Sequence, residues 1–286
     1  MKTRNDDAAL RRSRILRACV CALLCLMSLL PFYLLFINAT RASNAIRAGI
    51  SLLPGANLMA NLENLTLKQR GLGVTILGSM FNSLKIAAPA TLLSVYFSAL
   101  TAYGIHVYTF RLKKAAWTFI MAVMMVPSQV VSIGFYKFMV QLGLMDSVWP
   151  LILPWMATPA VVFFMRQYLQ SSLSLEMVEA ARIDGSSEWR TFNRIVLPLL
   201  KPAVATQAIF QFVASWNSLF LPSLIITSTG NKTLPMFVQM LSSESFKTDY
   251  GIVYLGLALT ILPLFVVYFL LSKFIVAGVT LGGVKE

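Results

Sequence analysis

The stretch "VEAARIDGSSEWRTFNRIVLPLLKP", Val178 to Pro202, interrupts a very hydrophobic chain with charged residues at helical spacing. The pattern stops at Asp184-Gly185, resumes, and ends at Pro198 and Pro202. A charge pattern of this kind predicts two short amphipathic helices separated by a turn. The helices lie outside the membrane, because flanking segments on both sides are apolar enough to span it.

The first short helix is predicted to begin after a Ser174 cap, with Glu176 in its first turn. Gly185 ends it, since glycine adopts the left-handed cap conformation without penalty. The predicted apolar face of this helix is Leu175, Val178 and Ala181. Glu179 and Arg182 flank this face.

The second short helix is predicted to restart at Ser186. Its predicted apolar stripe is Trp189, Phe192, Ile195 and Val196. Two interpretations of the helix pair stay open, which are helices lying on lipid headgroups and a docking element for a cytosolic partner. The small pair Ala180-Ala181 favours the partner, because small side chains permit close protein contact.

The composition identifies an integral membrane protein. Of the 286 residues, 57% are hydrophobic and only 12% are charged, and the mean hydropathy is +0.73. Soluble domains carry about 25% charged residues. The formal net charge of +13 is therefore assigned to cytoplasmic loops rather than to nucleic-acid binding.

Six apolar segments are long enough to cross a bilayer as helices, the form that satisfies the backbone in lipid. These predicted spans are Ala18–Ile37, Ser79–Val107, Ala116–Val140, Val148–Phe164, Ala203–Ile226 and Gly251–Phe274. The predicted organisation is a cytoplasmic segment 1–17, a transmembrane domain 18–276 that includes the loop 174–202, and a cytoplasmic tail 277–286. The fold class is therefore all-α.

Lysine and arginine predict the orientation. With the N-terminus inside the cell, sixteen of the 24 basic residues fall on the cytoplasmic side and eight outside. Such a bias places both termini and the 174–202 loop in the cytoplasm. The protein is expected in a bacterial cytoplasmic (inner) membrane.

The chain lacks the signatures of a self-powered transporter. No Asp or Glu lies in the middle of a predicted span, whereas proton- and sodium-driven carriers usually need such groups. The nearest look-alikes of a nucleotide-binding loop, at Gly71 and Gly230, lack the Gly-Lys pair that phosphate binding requires. Cys19, Cys21 and Cys25 lie within one predicted span and suggest neither a disulfide framework nor a zinc site. No cofactor or metal site is predicted on this chain.

Two signatures resemble a known family. "EAARIDGSSEWRTFNRIVLPLLKP" is similar to the EAA loop of inner-membrane permease subunits of binding-protein-dependent ABC importers. The C-terminal "FIVAGVTLGGVKE", Phe274 to Glu286, resembles the tail of carbohydrate permeases of the maltose type, the MalG-like half. Ser174 departs from the proline common at its position, and Ser218 from the acidic or amide residue common at its own.

The resemblance implies a six-helix type I ABC importer subunit that pairs with a second permease and sits on two ATPase subunits. An extracytoplasmic binding protein would deliver the sugar, and ATP and Mg would bind to the ATPase subunits. The segment Glu179 to Gly185 would be the coupling helix seated in the ATPase. The implied ATPase-coupling residues are Glu179, Ala180, Ala181, Asp184, Gly185, Leu197 and Pro198.

Polar and aromatic residues in the spans are candidates for the sugar path. They are Asn82, Ser83, Gln129, Ser132, Tyr136, Gln207, Gln211, Ser215, Trp216 and Asn217. The alternative for each of these residues is a hydrogen bond that holds neighbouring helices together. Two substrate classes other than sugar stay open, glycerol-phosphate compounds and polyols. A membrane receptor or scaffold that does not transport is a further alternative.

Two segments outside the spans carry their own hypotheses. Thr227–Tyr250 contains "LPMFVQML", which either folds back onto the helices or, by analogy with the family, inserts into the docked binding protein. The tail Ala277–Glu286 is rich in glycine, and its alternatives are a frayed end and, as the resemblance implies, a contact at the ATPase dimer interface.

Overall fold

The computed structural model describes residues 2–243 and 248–282, and the side chains of residues 12–127, 129–243 and 248–272. All regular elements in these ranges are helical. The α-helices are α1 Lys2–Ala39, α2 Ser43–Ala48, α3 Leu58–Leu72, α4 Ile76–Val107, α5 Lys113–Val123, α6 Ser128–Gln141, α7 Trp149–Ile152, α8 Pro159–Ser172, α9 Leu175–Ile183, α10 Glu188–Thr191, α11 Leu197–Leu199, α12 Lys201–Trp216, α13 Phe220–Ile225, α14 Leu234–Ser242 and α15 Tyr250–Gly282. Short 3-10 helices cover Leu153–Met156 and Thr229–Asn231, and a π-helical turn covers Phe192–Val196.

Within the described residues, four segments are long and apolar enough to cross a membrane. They are Arg12–Ala39, Ile76–Val107, Trp149–Ser172 and Tyr250–Ser272. A fifth is obtained by joining 188–199 to α12 across a bend of 79°. The four segments correspond to the first, second, fourth and sixth predicted spans, and the fourth runs eight residues beyond its predicted end at Phe164.

The prediction of one continuous third span, 116–140, is wrong. Helix α5 ends at Val123 and α6 begins at Ser128. Pro127 lies in the break, in an extended conformation at the N-cap of α6. Because proline has no N–H and its ring clashes with the preceding turn, it separates two helices at this point. A count of six spans therefore requires α5 and α6 to be joined across this break.

The fifth predicted span, 203–226, is also divided. Helix α12 stops at Trp216, and the apolar run resumes as the short helix α13. The amides of Asn217 and Ser218 donate to the carbonyls of Val213 and Ser215, so the last turn of α12 tightens before it ends. Hydrophobicity alone did not reveal this interruption.

The chain divides into two compact units. The first comprises residues up to 72 together with 238–259. Its buried Asn61 donates from Nδ2 to the carbonyls of Ala39 and Arg41, at 2.8 and 3.0 Å. A Cβ on Gly251 would come within 2.6 Å of the Asn61 side chain, so the close approach of α15 to α3 requires glycine at that position.

The second unit comprises residues 73–237 and those from 260 onward, and α4 is its central helix. Helix α4 packs on both α8 and α12. Ala87, Ala90, Ala99 and Ala102 on α4 are fully buried. Small side chains let helix backbones approach closely, which is the usual means of tight helix packing in membranes.

Asp146 ties two loops of the second unit together. Its Oδ1 accepts hydrogen bonds from the amides of Thr227 and Ser228 and from the Ser228 hydroxyl, at 2.9 to 3.0 Å. The Asp146 amide donates to the carbonyl of Ile225. These hydrogen bonds, first among them the one from the Ser228 amide, hold the pKa of Asp146 below its ordinary value. The loop before α7 is thus fastened to the loop after α13.

The apolar run of the 227–250 segment folds back onto the protein over its described part. This run forms helix α14, in which Leu234 and Phe237 are fully buried. The amide of Leu234 donates to the hydroxyl of Ser83 on α4 at 2.8 Å. Ser243 is exposed, and residues 244–247 lie outside the described residues. An insertion into a binding protein stays a prediction for the tip of this loop only.

The C-terminal tail is only partly described. The backbone of α15 is helical to Gly282, whereas residues 283–286 and the side chains of the tail lie outside the described residues. The contact with an ATPase dimer implied for this tail stays a prediction.

Replacement of Asp146 by alanine is expected to lower the free energy of unfolding at neutral pH by about 2 kcal/mol. About half comes from the loss of a charged hydrogen-bond acceptor for two loop amides near the surface, and the rest from alanine at a φ of 55°. The pKa of Asp146 in the folded protein lies below the ordinary 3.8. The stabilisation that its carboxylate provides is therefore complete at pH values above 3.8. It is lost as the pH falls through the lower folded pKa. Thermal unfolding of the detergent-solubilised protein, followed by tryptophan fluorescence at pH values on both sides of 3.8, measures the difference.

Glu63→Ala, which removes an exposed carboxylate on α3, is the matched control. Equal unfolding midpoints for the two variants at neutral pH would show that the Asp146 contacts do not stabilise the loops.

Candidate functional site

The first coupling-loop helix, α9, rests on the protein through one narrow side. Val178 and Ala181, two residues of the predicted apolar face, are buried, and Val178 belongs to the apolar cluster that contains Tyr103 of α4 and Leu169 of α8. Leu175, the third residue of the predicted face, is 46% exposed. It lies in the first turn of α9, between Leu173 and Val178, which both belong to the cluster, and its side chain does not reach it.

The start of α9 differs from the prediction in its chemistry. Ser174 occupies the N-cap position in an extended conformation, but its hydroxyl accepts no hydrogen bond from the helix backbone. Glu176 is fully exposed, and its pKa is lowered first by a hydrogen bond from its own amide and then by the Ser174 hydroxyl. The predicted side-chain cap of α9 by Ser174 is therefore not formed.

The end of α9 confirms the predicted turn. Gly185 has φ +75°, and the Ser186 amide donates to the carbonyl of Ala181 while the Gly185 amide donates to that of Arg182. These two hydrogen bonds form a Schellman motif, which reverses the chain after a helix. No atom lies within 4 Å of a Cβ built on Gly185, so glycine is required there by the backbone conformation alone.

The second helix begins two residues later than predicted, at Glu188, with Ser187 as its cap. The hydroxyl of Ser187 accepts a hydrogen bond from the Arg190 amide at 3.4 Å. The Ser186 hydroxyl instead accepts one from the hydroxyl of Thr191. Because Gly185 and Ser186 are both used in the turn, the chain re-enters a helix only after them.

The π-helical turn Phe192–Val196 changes the face that this second helix buries. Phe192 and Val196 are fully buried, whereas Trp189, assigned to the same predicted stripe, is 63% exposed. A π turn widens the helix by one residue per turn, so residues before it and after it cannot share the face that a regular period predicts. Ile195 is half-buried.

An ionic contact joins the two short helices to α4. Arg182 Nε donates to Glu188 Oε1 at 2.7 Å, and the Tyr103 hydroxyl donates to Glu188 Oε2 at 2.9 Å. The Arg182 guanidinium also lies over the ring of Tyr108, 5.6 Å from its centre. The geometry places Glu188 between a cation on α9 and a hydroxyl on α4.

These contacts shift the pKa values of the groups involved. The hydrogen bond from Arg182 is the main cause that lowers the pKa of Glu188. Burial and then a hydrogen bond to Glu188 raise the pKa of Tyr108, which follows the end of α4. The Glu188 carboxylate is therefore ionised throughout the physiological range. The sequence analysis did not predict this cluster. Arg182 and Glu188 lie six positions apart on the two sides of the predicted turn, and this spacing could have indicated the ion pair.

The remaining surface of the loop carries the residues assigned to ATPase coupling. Glu179, Ala180, Asp184, Gly185 and Pro198 are exposed, Leu197 is half-buried and Ala181 is buried. Ile183, next to this set, is 86% exposed. A single exposed aliphatic side chain is common on protein surfaces, so Ile183 marks an interaction site only together with the motif residues beside it. Glu179, Ala180, Asp184 and Gly185 are thus accessible at the end of α9, and the role of the seven residues in ATPase coupling stays a prediction.

The polar stripe predicted on α12 faces into the second unit. Gln207 and Ser215 are buried, and Gln211 is half-buried with an Oε1 atom that has no hydrogen-bond partner within the described residues. Trp216 is only 1% exposed. Its indole N–H donates to the carbonyl of Thr260 at 3.1 Å, and its ring stacks on Phe212. In this conformation, Trp216 holds α12 to α15 and presents no ring face to a sugar.

The other candidates for the sugar path are distributed over several surfaces. Asn82 donates from Nδ2 to the carbonyls of Gly230 and Lys232, so it holds the loop after α13 to α4. Gln129 and Tyr136 are exposed on α6, while Ser132, also on α6, donates to the carbonyl of Gln129. Asn217 is exposed just beyond the end of α12. The candidates do not converge on one site within this chain.

One small cavity collects three of the predicted residues. Ser83, Ser215 and Trp216 line it together with Thr233, and its volume is about 40 Å³. The hydroxyls of Ser215 and Thr233 have no hydrogen-bond partner within the described part of the chain. A polar cavity of this size holds a water molecule and is too small for a sugar ring.

These helices and the amphipathic loop that they support define an all-helical membrane protein of the transport-permease class. The chain belongs to the family described as binding-protein-dependent transport system inner membrane component, whose profile matches residues 94–281. The match includes the whole of the 174–202 loop.

Permease proteins of three transport systems align with nearly the full length of this chain. The arabinooligosaccharides transport system permease protein AraQ of Bacillus subtilis is 33% identical, over 92% of each chain. The lactose transport system permease protein LacG of Rhizobium radiobacter is 29% identical, over 95% of this chain and 96% of its own. The sn-glycerol-3-phosphate transport system permease protein UgpE of Escherichia coli is 31% identical, over 87% and 90%.

The fold matches a solved structure. A chain of a bacterial ABC transporter involved in the import of the acidic polysaccharide alginate superposes with a TM-score of 0.75. The superposition covers 92% of this chain and 96% of the other at 21% identity. The predicted type I ABC importer permease fold is thereby confirmed.

Gly185→Ala is expected to cost about 1 kcal/mol at the coupling loop, because alanine disfavours the left-handed conformation of that residue. The Schellman turn sets the angle between the two short helices, so sugar-stimulated ATPase activity of the reconstituted importer should fall while the subunits still assemble. Gly230→Ala is the control, since no atom lies within 4 Å of its Cβ position and its φ is not positive. Normal stimulated activity in Gly185→Trp would refute a role for this turn in coupling.

Proposed function

We propose that this chain is the transmembrane permease subunit of an ATP-driven importer that translocates a sugar or oligosaccharide delivered by an extracytoplasmic binding protein. The observation that carries the proposal is the exposed face of α9, held rigidly on the core of the second unit. Relatives named for arabinooligosaccharide and lactose transport support the substrate class.

The proposed mechanism is mechanical. The face of α9 from Glu179 to Gly185 docks into an ATPase subunit, where ATP and Mg bind. When two ATPase subunits close on ATP, α9 moves with its ATPase as a rigid body. Val178 and the Glu188 contacts transmit this movement to α4 and the core, so the spans change between two packed arrangements. A second permease subunit completes the path.

The proposed orientation follows from charge. The coupling loop, the N-terminal segment 1–17 and the tail 277–286 face the cytoplasm, where sixteen of the 24 basic residues then fall. The Asp146 contacts and the loop after α13 face outward. The membrane is the bacterial cytoplasmic (inner) membrane, as the family description supports.

The chemistry of α12 favours a neutral sugar over a phosphorylated substrate. Its inward stripe consists of amides and a hydroxyl, Gln207, Gln211 and Ser215, which suit sugar hydroxyls. A phosphate is usually recognised by arginine or lysine, and this stripe has neither. Glycerol-phosphate transport remains the alternative because of the UgpE relatives. A receptor or scaffold that does not transport is the second alternative, and co-purification of an ATPase with the solubilised protein would exclude it.

Ile183→Asp is expected to abolish co-purification of the ATPase subunits, because it places a charge on the apolar part of the α9 face. Folding should be unaffected, since Ile183 is 86% exposed. Ile50→Asp is a closely matched control, because Ile50 is also 86% exposed but lies in the first unit. Equal ATPase yields from both variants, measured after affinity purification, would contradict the docking surface.

Gln211→Leu is expected to raise the KM for the delivered sugar about three- to tenfold, the effect of one lost neutral hydrogen bond. Its unpaired Oε1 leaves no hydrogen bond within the described protein to break, so thermal stability should not fall. Sugar uptake by proteoliposomes and a melting curve are measured together, with Gln170→Leu on the exposed side of α8 as the control. A lower melting temperature with unchanged KM would assign Gln211 to helix packing instead.

A further inference from the structure

A groove of about 310 Å³ opens where α12 bends away from the coupling loop. Three segments line it, with Leu92 and Tyr96 on α4, Leu197 before the bend, and Lys201 and Val204 after it. The segments before and after the bend meet at 79°. A ligand in this groove would therefore contact α4 and both sides of the bend together.

The groove offers little for a sugar to bind. Its two polar side chains other than lysine, Tyr96 and Asn193, already bond to each other through the Tyr96 hydroxyl and Asn193 Oδ1, at 3.3 Å. Asn193 Nδ2 donates to the carbonyl of Trp189 at 2.9 Å. With these groups satisfied, the lining is mainly aliphatic, as Leu92, Leu197 and Val204 show. Such a lining suits a hydrocarbon chain.

One cation lies at the edge of this aliphatic lining. Lys201 is exposed, and no carboxylate within the described residues forms an ion pair with its ammonium group. Trp189 is 63% exposed and lies beside Tyr96, with 6.2 Å between the ring centres. Exposed tryptophan and lysine mark the depth of the lipid headgroups in membrane proteins. The groove is therefore at the level where a phospholipid changes from hydrocarbon to phosphate.

We propose that this groove binds one anionic phospholipid, with an acyl chain along Leu92, Leu197 and Val204 and the phosphate next to Lys201. The unpaired cation selects an anionic headgroup over a neutral one. The bound lipid fills the angle between the coupling loop and α12, and so stiffens the connection through which α9 moves α12. The effect on ATPase coupling rests on the proposed function, whereas binding of the lipid does not.

Lipid retention tests the site directly. The importer complex is purified from an equal mixture of phosphatidylcholine and phosphatidylglycerol, and the retained phosphatidylglycerol is counted by native mass spectrometry. Lys201→Gln should reduce retention about fivefold, the factor expected for one lysine at an anionic surface. Val204→Trp fills the groove and should reduce phosphatidylglycerol retention although the Lys201 charge is intact. Lys137→Gln, which removes an exposed lysine on α6, should retain as much phosphatidylglycerol as the unmodified protein.

Three results would overturn the proposal. Lys201→Gln could retain phosphatidylglycerol normally, which means that the lysine binds no lipid. Lys137→Gln could lose as much as Lys201→Gln, which would indicate diffuse surface attraction without a site. Val204→Trp could lose the second permease but keep its phosphatidylglycerol, which would make the groove a subunit interface.

The consequence for coupling is measured in nanodiscs. The sugar-stimulated ATPase rate is measured with and without phosphatidylglycerol, and the first rate is divided by the second. This ratio should exceed one for the unmodified importer and for Lys137→Gln, and should approach one for Lys201→Gln. An unchanged ratio in Lys201→Gln would contradict the role of the lipid at the bend. Absence of sugar stimulation in every sample would refute the proposed function, while the retention measurement would still decide the lipid site.

Discussion

The Glu188 carboxylate connects the part of the protein that lies outside the membrane to the helices inside it. It accepts hydrogen bonds from Arg182 at 2.7 Å and from the Tyr103 hydroxyl at 2.9 Å. The Arg182 and Glu188 side chains are 40% and 44% exposed, so the ion pair itself adds little free energy. The ion pair and the Tyr103 hydrogen bond instead fix the orientation of α9 relative to α4. The apolar contact is made by Val178 and Phe192.

Transmission beyond this contact depends on how closely the helices pack. Helix α4 has fully buried alanines along the sides that meet α8 and α12, and cores packed in this way move as units rather than deforming continuously. The arrangement suits a subunit that receives work from a partner at one surface. The same close packing leaves a cavity of only about 40 Å³ beside Ser215 and Trp216 of α12, which has no room for a sugar ring.

The polar residues of the spans divide into two groups. Asn82, Ser83 and Trp216 hydrogen-bond to backbone groups and hold segments together. Gln211, Ser215 and Thr233 have polar atoms without partners within the described residues. A buried polar atom is costly when unpaired, so the second group is where water, substrate or another subunit has a reason to bind. The groove beneath the bend of α12 is the opposite case, in which the polar side chains are paired and an aliphatic surface remains.

The amino-acid sequence by itself determined the class of the protein. Its hydrophobicity established a membrane protein, the 174–202 motif established the family, and Gly185 was assigned correctly to a left-handed turn because few other residues tolerate that conformation. Tertiary structure decided what local patterns do not encode. Pro127 breaks the third predicted span although the surrounding hydrophobicity is continuous, and the π turn at Phe192–Val196 moves Trp189 out of the stripe that a regular helical period predicts. Whether Trp216 binds sugar or holds α15 depends on residues 44 positions away, and only the folded chain brings those groups together.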